Sequence, residues 1–202
     1  MTSKPETPTT NVMHTRAGLW SGRTVSGTGQ TIRMGIRYYG WAISPDEVTQ
    51  AADDPWPVIR RADQRHHSPG WTNTYFDKAW PLMQRFFRPD PWPSLSLPTA
   101  SNTPDPRPGY ELVVGDVTYP YGYDAGYEPH VGVVTPDRVP AIARDVASVT
   151  PADLRQFSAG LRYSEERRRQ DDLDYLSYYL KEAMEFTADA AARGHGIIYL
   201  IR

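Results

Sequence analysis

The sequence predicts an α+β fold, a small mixed or antiparallel sheet packed against a long C-terminal helix and several shorter helices. Three stretches carry this prediction. Asp171 to Arg193 repeats apolar residues at spacings of three and four, the period of a helix with one buried face. Gly196 to Ile201 is a short, almost wholly apolar run. Residues 35–43 are dense in aromatic and β-branched side chains, the composition of a strand. The terminal strands are therefore 35–43 and 196–201.

The C-terminal unit organises the rest. Leu173, Leu176, Leu180, Ala183, Phe186 or Thr187, and Ala190 share one helix face. Asp171 and Asp172 suit the positive end of the helix dipole. Gly194, after Arg193, can take the left-handed conformation that closes a helix. The run Ile197 to Ile201 does not alternate, so it reads as a strand covered on both faces. Left as an open edge, such a strand would invite aggregation. It is therefore placed inside the sheet, paired with the strand Ile36 to Ile43.

Taken in order, residues 1–33 hold few large apolar side chains and read as a disordered tail. The folded domain runs from 34 to 202, and Met34 is a candidate second translation start. Ser44-Pro45-Asp46-Glu47 is a capping box with proline in the first turn, opening a short helix to about Ala52. Asp53 to Pro57 breaks it, and residues 60–70, with His66 and His67, read as loop. Tyr75-Phe76 ends a short strand. A helix starting at Asp77 or a neighbour then carries Ala79, Trp80, Leu82, Met83, Phe86 and Phe87, with Pro81 either in its first turn or kinking it. Seven prolines from Pro89 to Pro108 make 88–108 an extended loop. Tyr110 to Val114 reads as a strand, Gly115 to His130 as a Tyr- and Gly-rich loop or irregular hairpin, and Val131 to Val134 as apolar again. Thr135-Pro136-Asp137 and Thr150-Pro151-Ala152-Asp153 are twin helix starts. Val139, Ile142, Ala143 and Val146 face inward from the first helix, and Leu154, Phe157 and Leu161 from the second. Glu165 to Asp174 is a solvated helix face or a linker.

Composition narrows the function classes. A chain of 202 residues buries roughly 70% of its unfolded surface as one domain. The net charge of −2 leaves no electrostatic footprint for nucleic acid. Arg167-Arg168-Arg169 is flanked by Glu165, Glu166, Asp171 and Asp172, which cancel its field. No apolar run approaches a membrane span, and the N-terminus lacks the apolar stretch of a signal peptide. With no cysteine, disulfides, thiolate catalysis and cysteine zinc sites are excluded. The chain reads as soluble and cytoplasmic, with no cofactor, nucleic-acid or membrane partner.

Two clusters are candidate binding surfaces. The first is Asp77, Lys78 and Trp80, read either as a pocket lining or as a helix cap beside a core tryptophan. Caps are common and sites few, which favours the second. The second is the loop bearing Tyr119, Tyr121, Tyr123, Asp124, Tyr127, Glu128 and His130. Tyrosines offer broad contact area with a polar tip, although they also serve to cover a sheet edge. Carboxylates beside a histidine can do acid–base chemistry. Neither HExxH nor any other spaced ligand set is present, so no metal site is expected.

The order Met34-Gly35-Ile36-Arg37-Tyr38-Tyr39, Ser-Pro-Asp-Glu-Val, Phe76-Asp77-Lys78-Ala79-Trp80, Thr-Pro-Asp-Arg-Val and Arg193-Gly194-His195-Gly196-Ile197-Ile198-Tyr199 resembles the YfbM-like family of uncharacterised bacterial proteins and their phage-encoded relatives. The resemblance covers roughly Met34 to Arg202, and Asp77 to Trp80 is its most specific part. It implies a small α+β fold and supplies no catalytic residues. Two functions remain open. One is a non-enzymatic protein-binding role, accessory, immunity-like or in phage–host interaction. The other is an enzyme or sensor for a small polar ligand, its pocket lined by Asp77, Trp80, Tyr121, Asp124 and His130.

Overall fold

The structure, a computed structural model, describes residues 35–65, 68, 70–88, 105–123, 126–161 and 166–202. All of them lie in one compact unit, Met34–Arg202. The expectations for residues 1–33 and 89–104, and for His66, His67 and Asp124, fall outside the described residues.

Four strands form one antiparallel sheet: β1 Tyr38–Ile43, β2 Asn73–Asp77, β3 His130–Val134 and β4 Gly196–Ile201, in the order β2-β1-β4-β3. The C-terminal strand is central, as its composition predicts, and pairs with β1 from Tyr38↔Ile201 to Ile43↔Gly196. All six of its residues are buried. Ile197, Tyr199 and Ile201 enter one core, while Ile198 and Leu200 enter a second on the opposite face. The sheet is thus covered twice, which is why β4 shows no alternation. Each fully buried Ile or Leu there contributes about 1.5–3 kcal/mol.

The two layers have different sources. The first core takes Leu176, Leu180, Ala183, Phe186 and Ala190 from the long helix α6 (Glu166–Ala192), with apolar residues from α3 (Trp80–Phe87) and α4 (Val139–Ala147). The second takes Val48 and Ala51 from α1 (Pro45–Asp53) and Val58, Ile59 and Ala62 from α2 (Pro55–Arg65). A last helix, α5 (Pro151–Gly160), packs on α6. Helix α6 closes as expected. Gly194 has φ 64°, its N–H donates to the Ala191 carbonyl at 3.1 Å, and the His195 N–H donates to Ala190 at 2.9 Å. That pair of bonds is a Schellman motif.

An aromatic ladder crosses the sheet on the α6 side. Phe76 stacks on Tyr38 at 4.6 Å, Tyr38 on Tyr199 at 5.3 Å, and Tyr199 meets His130 at 6.1 Å. Gly132 makes room for it, since a Cβ there would lie 2.0 Å from the Tyr199 ring.

Several expectations are corrected. Residues 60–65 are not loop but the second half of α2, in which Pro55 and Pro57 occupy the first turn, where no intrahelical N–H is needed. Tyr110 to Val114 is not a strand. Pro108–Leu112 is a 3₁₀ helix that buries Leu112 against the α4 side. Thr135-Pro136-Asp137 forms a turn, and α4 starts only at Val139, without a side-chain cap. Thr150, by contrast, caps α5 with Asp153 in a full capping box, as Ser44 does with Glu47 in α1. Of the two readings of the charged stretch before Asp174, the solvated helix face holds, since α6 begins at Glu166.

Candidate functional site

Among the described residues of 115–130, an isolated antiparallel bridge joins Thr118 to Glu128. Thr118 and Glu128 exchange backbone hydrogen bonds of 3.1 and 2.8 Å. Between them the Gly122 N–H donates to the Tyr119 carbonyl at 3.1 Å, and Gly122 and Gly126 both have φ of 95°. Only glycine adopts that backbone readily, so the glycines shape the segment and leave the tyrosines to cover it. Tyr119 is half-buried. Tyr123 stacks on it at 5.0 Å and 26°, and Tyr127 tilts against it at 6.0 Å and 60°. Tyr121 and Tyr123 remain 85% and 77% exposed, an outward display unusual for large aromatics. His130, at the base, packs against Gly115, where a Cβ would lie 2.2 Å from its ring.

Asp77 closes a different assembly. It has φ 44°, the left-handed region, which aspartate tolerates better than most residues. The Ala79 N–H returns to the Phe76 carbonyl at 2.8 Å, making the turn from β2 into α3. Asp77 therefore does not cap α3. That helix starts at Trp80 with no side-chain cap. Instead, Oδ1 accepts from the Tyr75 hydroxyl at 2.8 Å and from Arg37 Nε at 3.1 Å. Oδ2 accepts from the Tyr175 hydroxyl at 2.8 Å, and that oxygen in turn accepts the Lys78 N–H at 3.1 Å. Partial burial opposes ionisation of Asp77, but the two phenol donors, with Arg37 and Lys78, outweigh it and hold the carboxyl below its ordinary value. Partial burial and the bond to Asp77 push the Tyr75 phenol up to about 12, and the same causes raise Tyr175 further. An anion so stabilised is a poor general base near neutrality. It is a latch tying the end of β2 to α6.

Of the residues expected to line one pocket, Asp124 lies outside the described residues, and Asp77 and His130 stand apart. Asp77, Tyr38, Ile201 and His130 lie in one row of the sheet, but β2 and β3 are its opposite edges. Three strand spacings put Asp77 and His130 roughly 14 Å apart, beyond direct side-chain contact. Trp80 is 6% exposed in the core shared by the sheet and α6, so it packs rather than lines a surface. Lys78 lies exposed, its side chain beside Gly35. Tyr119, Tyr123 and Tyr127 are the predicted residues that the fold does bring together.

Among the described residues, no group of three or more His, Asp or Glu is arranged to hold a metal ion, and no helix is long and apolar enough to cross a membrane. The family described as "Domain of unknown function (DUF1877)" matches residues 34–200. The chain belongs to this family. The crystal structure of YfbM from Escherichia coli, itself titled a protein of unknown function, matches with a TM-score of 0.53 at 12% identity, covering 82% of this chain and 99% of that one. At such identity the likeness concerns the fold. No curated protein matches the chain.

Within the DUF1877 domain, sequence reasoning singled out Asp77 but missed its partners Arg37, Tyr75 and Tyr175. Tyr75 sits two residues away, the spacing that puts strand side chains on one face, and was legible. Tyr175 is 98 residues away and meets Asp77 only because α6 packs beside β2. Nothing local announces that pairing.

Proposed function

We propose that this is a non-enzymatic, cytoplasmic protein that binds another protein through the tyrosine surface of residues 119–127, in an accessory, immunity-like or phage–host interaction role. The observation that carries the reading is the display of Tyr121 and Tyr123 to solvent beside the partly exposed Tyr127, with Tyr123 and Tyr127 already held against Tyr119. Tyrosines are enriched among residues that dominate interface energetics, and rings fixed before binding lose little entropy on association. The depressed Asp77 supports a non-catalytic reading. A cysteine-free chain requires no oxidising compartment.

The test is retention of a protein partner by the immobilised domain, compared with Tyr121→Ala/Tyr123→Ala. A retained partner should be identified and its Kd measured for both proteins. Loss of two hot-spot tyrosines should weaken binding by roughly 2 kcal/mol or more, about thirtyfold, with an unchanged melting temperature. If every retained protein binds the double variant equally well, the tyrosine surface is not the interface.

A further inference from the structure

The hydrogen bonds of the inner strands fix which backbone groups stay open at the edges of the sheet. Arg37 and Arg202 exchange backbone hydrogen bonds at 2.6 and 2.8 Å, so they form a bonded pair at the end of the β1–β4 ladder. Bonded and non-bonded pairs alternate along an antiparallel ladder, so successive residues of an inner strand serve opposite neighbours. On β4, Leu200, Ile198 and Gly196 therefore serve β1, while Ile201, Tyr199 and Ile197 serve β3. The Ala42 N–H, which donates to the Thr72 carbonyl at 3.0 Å on the β2 side of β1, obeys the same alternation. His130, Gly132 and Val134 thus pair with β4, and the N–H and C=O groups of Val131 and Val133 point away from it. Among the described residues, no hydrogen bond reaches those four groups.

The two edges of the sheet are built differently. Strand β2 has a bulge against β1, the charge of Asp77 and a tie to α6 through Tyr175. Bulges, charges and covering elements keep an edge from pairing with another chain. Strand β3 has no bulge, no proline and no Asp, Glu, Lys or Arg, and its first four residues are half-buried. Val131 and Val133 share one face, packed in part against the second core.

We infer that β3 pairs with β3 of a second copy of this chain, antiparallel about a two-fold axis at Gly132. In that register Val131 lies opposite Val133 of the second copy, and the two exchange both hydrogen bonds. The symmetric pair does the same, so every open group of both edges is used. Gly132 meets its own counterpart as a non-bonded pair, where Cα atoms approach to about 4.5 Å, and no side chain stands between them. The Val131–Val133 contacts are apolar cross-strand pairs, and no like charges face each other. An edge of five residues buries less than the roughly 1,200 Å² of a standard interface, so the pairing is weak and depends on concentration. It is independent of the protein-binding reading, to which it adds valency: a paired particle carries two tyrosine surfaces.

Sedimentation velocity of the full chain from about 10 μM to about 1 mM, the range of weak association, tests this. The expected result is a monomer that converts to a dimer as concentration rises. Val133→Pro should abolish the dimer in this range. Its missing N–H belongs to the open edge, so the β3–β4 ladder keeps all of its bonds. Val133→Thr keeps that N–H and the branched shape, and should dimerise within about threefold of the parent. Amide exchange read by NMR on the parent chain needs no substitution. In dilute protein the Val131 and Val133 amides should exchange fast while Gly132 and Val134 are protected. With about nine-tenths of the chains paired, the two valine amides should slow about tenfold, since only the monomer leaves them open. A chain that stays monomeric throughout leaves this edge to some other strand and overturns the assignment. So does a dimer that Val133→Pro leaves unchanged, or one in which the Val131 and Val133 amides do not slow.

Discussion

Replacing Ile198 by Asp should unfold the domain at neutral pH. Ile198 is fully buried in the middle of β4, opposite Trp41 and Val133, in the core shared with α1 and α2. Removing its apolar bulk alone, as in Ile198→Ala, should cost about 2–5 kcal/mol. The carboxylate adds more. In a dry site it must take up a proton, and raising its pKa by about three units costs about 4 kcal/mol at neutral pH. The sum, about 6–9 kcal/mol, consumes most or all of the 5–15 kcal/mol typical of a domain. Thermal melts by circular dichroism distinguish the two variants. Ile198→Ala should melt cooperatively but lower, by about 2–4 °C for each kcal/mol lost. Ile198→Asp should show no cooperative transition at neutral pH. Because its folded pKa would lie above its unfolded one, it should recover stability progressively as the pH falls from neutrality toward about 4, below which the proton is bound in both states. A cooperative Ile198→Asp melt at neutral pH, within a few degrees of the parent protein, would refute the placement of β4 between two cores.

Other outcomes follow from the same framework. Trp80→Ala should cost about 3–5 kcal/mol, because the indole is buried beneath α6, whereas Tyr121→Ala should stay within about 0.5 kcal/mol; equal urea midpoints for the two would mean the core is misplaced. The Arg107 N–H donates to the Phe87 carbonyl at 2.9 Å, and the Arg107 guanidinium is held by Asp145 at 2.8 Å, so the two ends of the proline-rich insertion are tied together. Replacing 89–104 with a short Gly-Ser linker should therefore leave the melting temperature unchanged or slightly raised, each halving of loop length being worth about 0.6 kcal/mol; a fall of many degrees would show that the insertion is structural. Asp77 is held below its ordinary pKa of 3.8, so its latch contributes stability above that value and loses it as the pH falls through the lower folded pKa. Acid unfolding of Asp77→Asn should consequently be shallower in that acid range than that of the parent, and superimposable acid curves would show that the latch contributes nothing.

Sequence reasoning succeeded where the determining interactions are local. The capping boxes at Ser44 and Thr150 close over three residues, and the Gly194 closure is set by one residue's conformational freedom. It failed where one local rule overrode another. Asp53 to Pro57 does end α1, but Pro55 and Pro57 also fit the first turn of a new helix, α2, which buries Val58, Ile59 and Ala62 where residues 60–65 read as loop. Thr135-Pro136 matches the Thr150-Pro151 pattern, but its chain makes one more turn before α4 begins. Tyr110 to Val114 has strand composition, but packing against α4 and α3 selects a 3₁₀ turn.

The candidate surfaces divide in the same way. That the tyrosines of 119–127 would be displayed was readable, because glycines and prolines deny that segment a regular element to bury them in. The stacking of Tyr123 and Tyr127 on Tyr119 was not. The latch joining Asp77 to Tyr175 was also beyond the sequence.

By itself, then, the sequence determined the α+β class, the central doubly covered C-terminal strand and the buried face of α6. Each of these follows from periodicity, capping or composition within a few residues. Only the tertiary structure decided which side chains meet across β2 and α6, and that Asp77 and His130 stand at opposite edges of the sheet. Such meetings depend on strand order and helix docking, which sum contacts between residues about a hundred positions apart and leave no mark on either segment alone.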